Sequence, residues 1–153
     1  MGPDPAPMTG MRDRLVEMSR SDCLRHLRQG TVGRLAVSVS ALPAIFPVNY
    51  AVLDEDIVFR TGPGTKLDAA LSEAVVAFEI DQSDPVAHSG WSVVVVGVAR
   101  PITDSATLSR AAALPLTPWA DGGRDTVVRL ETRLVSGRQL MADGRPSPGR
   151  PVT

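Results

Sequence analysis

The chain has 153 residues, the length of one ordinary domain, and its 43% hydrophobic and 22% charged residues supply a packed core. Sixteen Lys and Arg against seventeen Asp and Glu leave a formal charge of -1, which lacks the broad cationic field of a nucleic-acid binder. One cysteine, Cys23, excludes an internal disulfide, and apolar runs such as Val93 to Val96 are far too short to span a bilayer. No long apolar segment opens the chain, so the expectation is a cytoplasmic protein without a membrane partner.

In chain order, residues 1–10 and 142–153 are rich in Pro and Gly with little to bury, and read as flexible tails flanking one domain over 11–141. Ser21 and Asp22 precede Leu24 and Leu27, and Gly30 follows; this predicts a short helix over 21–29. Five β-rich stretches follow: GRLAVSV at 33–39, PAIFPVNYAVL at 43–53, DIVFRT at 56–61, AVVAFEI at 74–80 and WSVVVVGVARPI at 91–102. The acidic turn Asp54-Glu55-Asp56 joins two of them as an antiparallel hairpin. Short helices, each opening on a capping residue, are expected over 65–71 and 104–113. The stretch 125–140 alternates in part and reads as one long or two short strands. About six strands with few helices predict a mainly β protein, a small closed barrel or a two-sheet sandwich.

The segment Phe59 to Leu67, FRTGPGTKL, runs from a strand end through a Gly-rich turn into a helix start. Two glycines permit close backbone approach, and Arg60, Thr61, Thr65 and Lys66 add charge and hydroxyls, the composition of a phosphate site. Lys66 is the only lysine in the chain. GPGTK is not a Walker A loop, and a hairpin turn with a solvated lysine is the alternative. Pro47-Val48-Asn49-Tyr50 places the only Asn and the only Tyr side by side in an apolar strand, suiting either a planar hydrogen-bonding ligand or an edge strand with Asn49 outward. Trp91 and Ser92 open the longest apolar strand, and Trp119 lies in a loop; tryptophans there either stack on a flat ring or pack in the core. Cys23 and His26 have a metal-like spacing, but His88 is the only further soft or imidazole ligand, so no metal site is expected. No hydrolytic signature occurs.

Taken in order, GRLAVS, PAIFPVNYAVLDEDIVFRTGPGTKLDAAL, VAFEID, SGWSVVVVGVA, PWADGGRDTVVRLE and SGRQL resemble the pyridoxamine 5'-phosphate oxidase-like family of split β-barrel flavoproteins, especially its small bacterial members. The resemblance covers 21–140. It implies a six-stranded antiparallel split barrel, a homodimer with FMN at the subunit interface, and an oxidoreductase acting on a small-molecule redox substrate. By resemblance, Pro47, Val48, Asn49 and Tyr50 lie along the isoalloxazine ring. Arg60 and Thr61 reach the ribityl chain and phosphate, and Lys66 binds the phosphate. Trp91 and Ser92 begin the strand contributed by the partner subunit, and Trp119 lines the pocket mouth. No catalytic side chain is implied, because a flavin can act through its own chemistry once positioned. True pyridoxamine phosphate oxidases end in an Arg-x-His segment that grips the substrate phosphate; here no His follows His88, so that activity is not expected. Related split barrels use the deazaflavin F420 or bind haem, which gives two alternatives: an F420-dependent reductase, or a non-catalytic flavin- or haem-binding module.

Overall fold

The structure is a computed structural model that describes residues 14–71, 74–117 and 125–141. The two expected tails at 1–10 and 142–153 lie outside the described residues. Within them the chain forms β1 (Arg14–Glu17), α1 (Arg20–Gln29), β2 (Val32–Val39), β3 (Leu42–Leu53), β4 (Asp56–Thr61), α2 (Lys66–Ala70), β5 (Val75–Asp84), β6 (Ser89–Pro101), α3 (Ser105–Ala112), β7 (Thr126–Leu130) and β8 (Leu134–Met141). No helix among the described residues is long and apolar enough to cross a membrane.

Every ladder is antiparallel, and β6-β5-β2-β3-β4-β7 closes into a six-stranded barrel when β7 returns to β6 at Ala99↔Leu130, Arg100↔Arg129 and Pro101↔Val128. That closure decides for a barrel over a sandwich. Strand β6 serves both sides of the break: Gly90 to Val96 pair with β8, and from Ala99 onward β6 pairs with β7. The stretch 125–140 is therefore two strands, because its halves belong to different ladders. Between them Asp56 accepts from the Thr132 N–H at 3.0 Å and from Arg129 Nε at 2.7 Å, fixing the corner. Strand β1, absent from the sequence reading, is four residues long and pairs only with β8, too short for a periodic signal.

The alternation expected of half-buried strands holds in β2, where Gly33, Leu35 and Val37 face inward, and in β6, where Val93, Val95 and Ala99 do. Phe59 and Phe78 are the largest fully buried side chains of this core, and truncating either to Ala would cost about 3–5 kcal/mol. Strand β4 departs from alternation, with Ile57, Val58 and Phe59 all buried. Val58 faces outward, where Ala111 and Leu116 cover it together with Ala51 and Leu53. The hairpin turn between β3 and β4 stands as expected, with Asp54 at φ 58° and tied to Arg110 of α3 at 2.6 Å.

Helix α1 begins two residues before the sequence suggests a cap: the Ser19 side chain accepts from the Asp22 N–H at 3.1 Å. Cys23, Leu24 and Leu27 carry its apolar stripe into the barrel core. Gly30 ends it at φ -81°, outside the left-handed region. A glycine is required there for space, since a Cβ would fall on the Tyr50 hydroxyl.

Candidate functional site

Strands β3 and β4 pair only over Tyr50↔Phe59 to Leu53↔Asp56, whereas residues 42–49 of β3 pair with β2 alone. The two strands part at Tyr50. Among the described residues the near half of β3 has no partner on its other main-chain edge, and β4 continues through Arg60 and Thr61 beside β7. Pro47 and Asn49 lie exposed on this free part of β3, while Val48 and Tyr50 point into the core. A strand's alternation permits nothing else.

Tyr50 is 2% exposed. Its hydroxyl donates to the Leu27 carbonyl at 2.7 Å, and its ring meets Phe78 edge-on at 4.8 Å. Burial pushes the phenol well above its ordinary range. The hydroxyl therefore satisfies a carbonyl near the end of α1, so Tyr50 supports the edge from behind.

On the other flank, Arg60 is half-buried and its Nε is buried without a hydrogen-bond partner. Thr61 is 0% exposed and donates its hydroxyl to Asp68 Oδ1 at 3.2 Å. Asp68 Oδ2 accepts from the Gly64 N–H at 3.3 Å, and Thr65 caps α2 by accepting from the Asp68 N–H at 3.1 Å. Gly64 takes φ 72°, which glycine adopts freely, and a Cβ built on it meets nothing within 4 Å. The turn thus faces open space. Lys66 is exposed and forms no ion pair with any described residue. Arg60 and Lys66 are two cations with unspent donors beside a free strand edge, an arrangement that accepts an anionic, elongated ligand.

Trp91 and Ser92 lie elsewhere on the chain. They sit on β6, separated from β3 by β5 and β2, about three interstrand steps of roughly 4.8 Å. Ser92 faces outward opposite Asp81 and Arg138. Trp91 packs against the core and stacks on His26, with ring centroids 3.9 Å apart and planes at 28°. Burial, reinforced by Arg25, lowers the His26 pKa and favours the neutral ring. Cys23 is buried against the position of Gly137, and burial raises its thiol pKa. Among the described residues no three His, Cys, Asp or Glu gather as a metal-binding group. Trp119 lies outside the described residues. Pro47 and Asn49 thus lie on the outward side of β3 before it meets β4, Arg60 and Lys66 stand at the two ends of the turn that leaves β4, Val48, Tyr50 and Thr61 are buried behind them, and Trp91 and Ser92 lie on β6, three strands from β3.

Sequence reasoning missed Asp68, although Thr65-x-x-Asp68 has the spacing of a helix-start capping motif. It also missed an outward apolar row. Ile45, Ala36, Ala77, Val96 and Leu134 are register partners across five strands, with Ile45 67% and Leu134 68% exposed. Beside it Arg34 pairs with Glu79 at 3.1 Å and Asp81 at 3.2 Å.

Residues 19–139 match the sequence profile of the family described as pyridoxamine 5'-phosphate oxidase. An uncharacterized protein of Mycobacterium tuberculosis is 38% identical over 136 residues, covering 86% of this chain and 89% of its own. A Mycobacterium smegmatis structure described as an FAD binding protein is 35% identical with TM-score 0.75, covering 82% of this chain and 98% of its own. A heme binding protein of the same organism shares the fold at TM-score 0.65 and 23% identity, over 86% of this chain and 58% of its own. The family match spans most of the chain, and the closed barrel agrees with it: the chain belongs to the pyridoxamine 5'-phosphate oxidase family.

Proposed function

We propose that this protein is a flavin-dependent oxidoreductase that binds FMN where β3 and β4 part, works as a homodimer on a small-molecule redox substrate, and is not a true pyridoxamine phosphate oxidase. One observation carries the cofactor reading. Among the described residues Arg60 presents a buried Nε without a partner, and Lys66 a cation without a carboxylate, on either side of an open glycine turn. A phosphate monoester supplies acceptors for both. Main-chain groups of the free β3 edge around Pro47 and Asn49 would hold the polar edge of the ring, with Val48 and Tyr50 stiffening the strand behind. Thr61 would act from beneath the turn, since its hydroxyl is committed to Asp68. When bound, the flavin supplies hydride or electron transfer; the protein orients it and excludes water.

The homodimer reading is supported by the outward row from Ile45 to Leu134, which water alone would leave exposed. Ser92 lies on that same barrel face, so a second copy packed there would bring polar groups of β6 toward the neighbour's opening. The reading that pyridoxamine phosphate is not turned over at a useful rate rests on the resemblance: true oxidases grip that substrate with an Arg-x-His segment, and residues 89–153 hold no His. The FAD binding protein from Mycobacterium smegmatis supports a flavin, and the choice of FMN rests on the family resemblance of the Gly-rich turn with Arg60 and Lys66.

The test is to release the chromophore of freshly purified protein by denaturation and identify it by mass and absorbance. FMN is expected. FAD, F420 or haem would replace the cofactor assignment, and a bound flavin that neither NADH, NADPH nor reduced F420 reduces would favour a non-catalytic module.

A further inference from the structure

We propose that Asp68 is the positioning residue of the phosphate-binding turn: its carboxylate fixes where Arg60 and Lys66 present their charges. The inference rests on the flavin reading above and concerns what shapes that site. Asp68 is half-buried and ties three elements together. Its Oδ1 accepts from the Thr61 hydroxyl at the end of β4 at 3.2 Å, and its Oδ2 accepts from the Gly64 N–H at 3.3 Å. Its own N–H donates to Thr65 Oγ1 at 3.1 Å, and the Thr65 hydroxyl donates to the Gly62 carbonyl at 2.9 Å. Arg60 directly precedes Thr61, and Lys66 directly follows Thr65. Both cations are therefore anchored through residues that Asp68 holds.

Two consequences separate this role from a bland one. The Thr61 hydroxyl and the Gly64 N–H are already donated to a carboxylate, so those two groups are not free for the phosphate, which the side chains of Arg60 and Lys66 would meet. In addition, a carboxylate beside an anion site repels the anion, so its charge alone would make removal of Asp68 tighten phosphate binding. Positioning demands the opposite sign. A loosened turn spends binding free energy on ordering two long cationic side chains and the backbone between them.

The experiment compares FMN with riboflavin, which lacks the phosphate, by flavin fluorescence titration of wild type, Asp68→Ala, Asp68→Asn and Thr61→Val. Wild type is expected to bind FMN at least about tenfold tighter than riboflavin. Asp68→Ala should lose about tenfold in FMN affinity while its riboflavin affinity stays put, which also reports a folded protein. Asp68→Asn keeps an acceptor and drops the charge, so FMN affinity should recover to within about threefold of wild type or exceed it. Thr61→Val keeps the shape, removes one aiming bond, and should cost about threefold for FMN alone.

FMN binding by Asp68→Ala as tight as wild type, a loss shared equally by riboflavin, or an Asp68→Asn variant no better than Asp68→Ala would overturn the inference. If Asp68→Ala binds neither flavin, Thr61→Val decides: selective loss of FMN supports the inference and full retention refutes it. A wild type that does not distinguish FMN from riboflavin refutes the phosphate reading itself, and the role of Asp68 with it.

Discussion

Replacing Lys66 by Ala is the cleanest perturbation of the proposed site, because the side chain has nothing else to lose. It is exposed, outside every ion pair among the described residues, and its removal leaves the Thr65 cap and the Asp68 network in place. Folding stability should therefore change by less than about 0.5 kcal/mol, the usual range for an uncoupled surface position. A charge-assisted hydrogen bond is worth about 1.5–3 kcal/mol, and solvent exposure puts Lys66 near the lower figure, so FMN affinity should fall about tenfold. Arg60 remains to hold the phosphate, so binding should weaken rather than vanish. The fall should also shrink as salt is raised, since exposed charges are screened over about 8–10 Å at ordinary ionic strength. Fluorescence titration at two salt concentrations, with a urea melt of the free protein as control, measures all three quantities. Unchanged FMN affinity in Lys66→Ala, or an equal loss for riboflavin, would refute the assignment of the phosphate to this turn.

Four further outcomes are expected. Tyr50→Phe strands the Leu27 carbonyl and should cost about 1–2 kcal/mol in chemical denaturation, with FMN affinity unchanged; a collapse in affinity would place Tyr50 against the cofactor instead. Ile45→Asp or Leu134→Asp puts a charge on the outward apolar row and should convert a dimer to monomers in sedimentation, whereas an intact dimer would move the interface to another face. The His26 pKa is lowered by folding from 6.5, so the unfolded state takes up protons first, and stability that is complete above that pH should decline as pH falls below it. Urea midpoints at successive pH values check this, and His26→Asn should flatten that part of the profile. Finally, FMN-loaded protein given pyridoxamine phosphate in air should turn over far more slowly than about one per second; a rate at or above that ordinary enzyme value would show that other residues grip the substrate.

Much of this architecture is written in local chemistry. The three helices lie within a residue or two of their expected spans because Thr65 and Asp104 are strong caps, and the acidic hairpin follows from Asp54 tolerating a positive φ. Barrel closure was less legible, because it depends on β6 changing partners from β8 to β7, a long-range event that no window of sequence records. The site divides similarly. The Gly-rich turn with Arg60 and Lys66 announces itself by composition. The inward commitment of Tyr50 required knowing that Leu27 presents a carbonyl 2.7 Å from its hydroxyl. Trp91 reads from sequence as a core residue or a ring-stacking one, and the His26 ring against it is invisible there because only three-dimensional packing joins β6 to α1. Asp68 looks like an ordinary helix-start acid. Its hold on Thr61 and Gly64 appears only once the turn is folded.

A crystal structure of the FMN-loaded protein would show whether a flavin phosphate sits between Arg60 and Lys66 where β3 leaves β4. Phosphate density is expected within hydrogen-bond reach of both side chains, with the ring along the free edge of β3 at Pro47 to Asn49 and a second copy of the chain closing the pocket. Flavin density at any other place on the barrel, with Arg60 and Lys66 left in solvent, would contradict that placement.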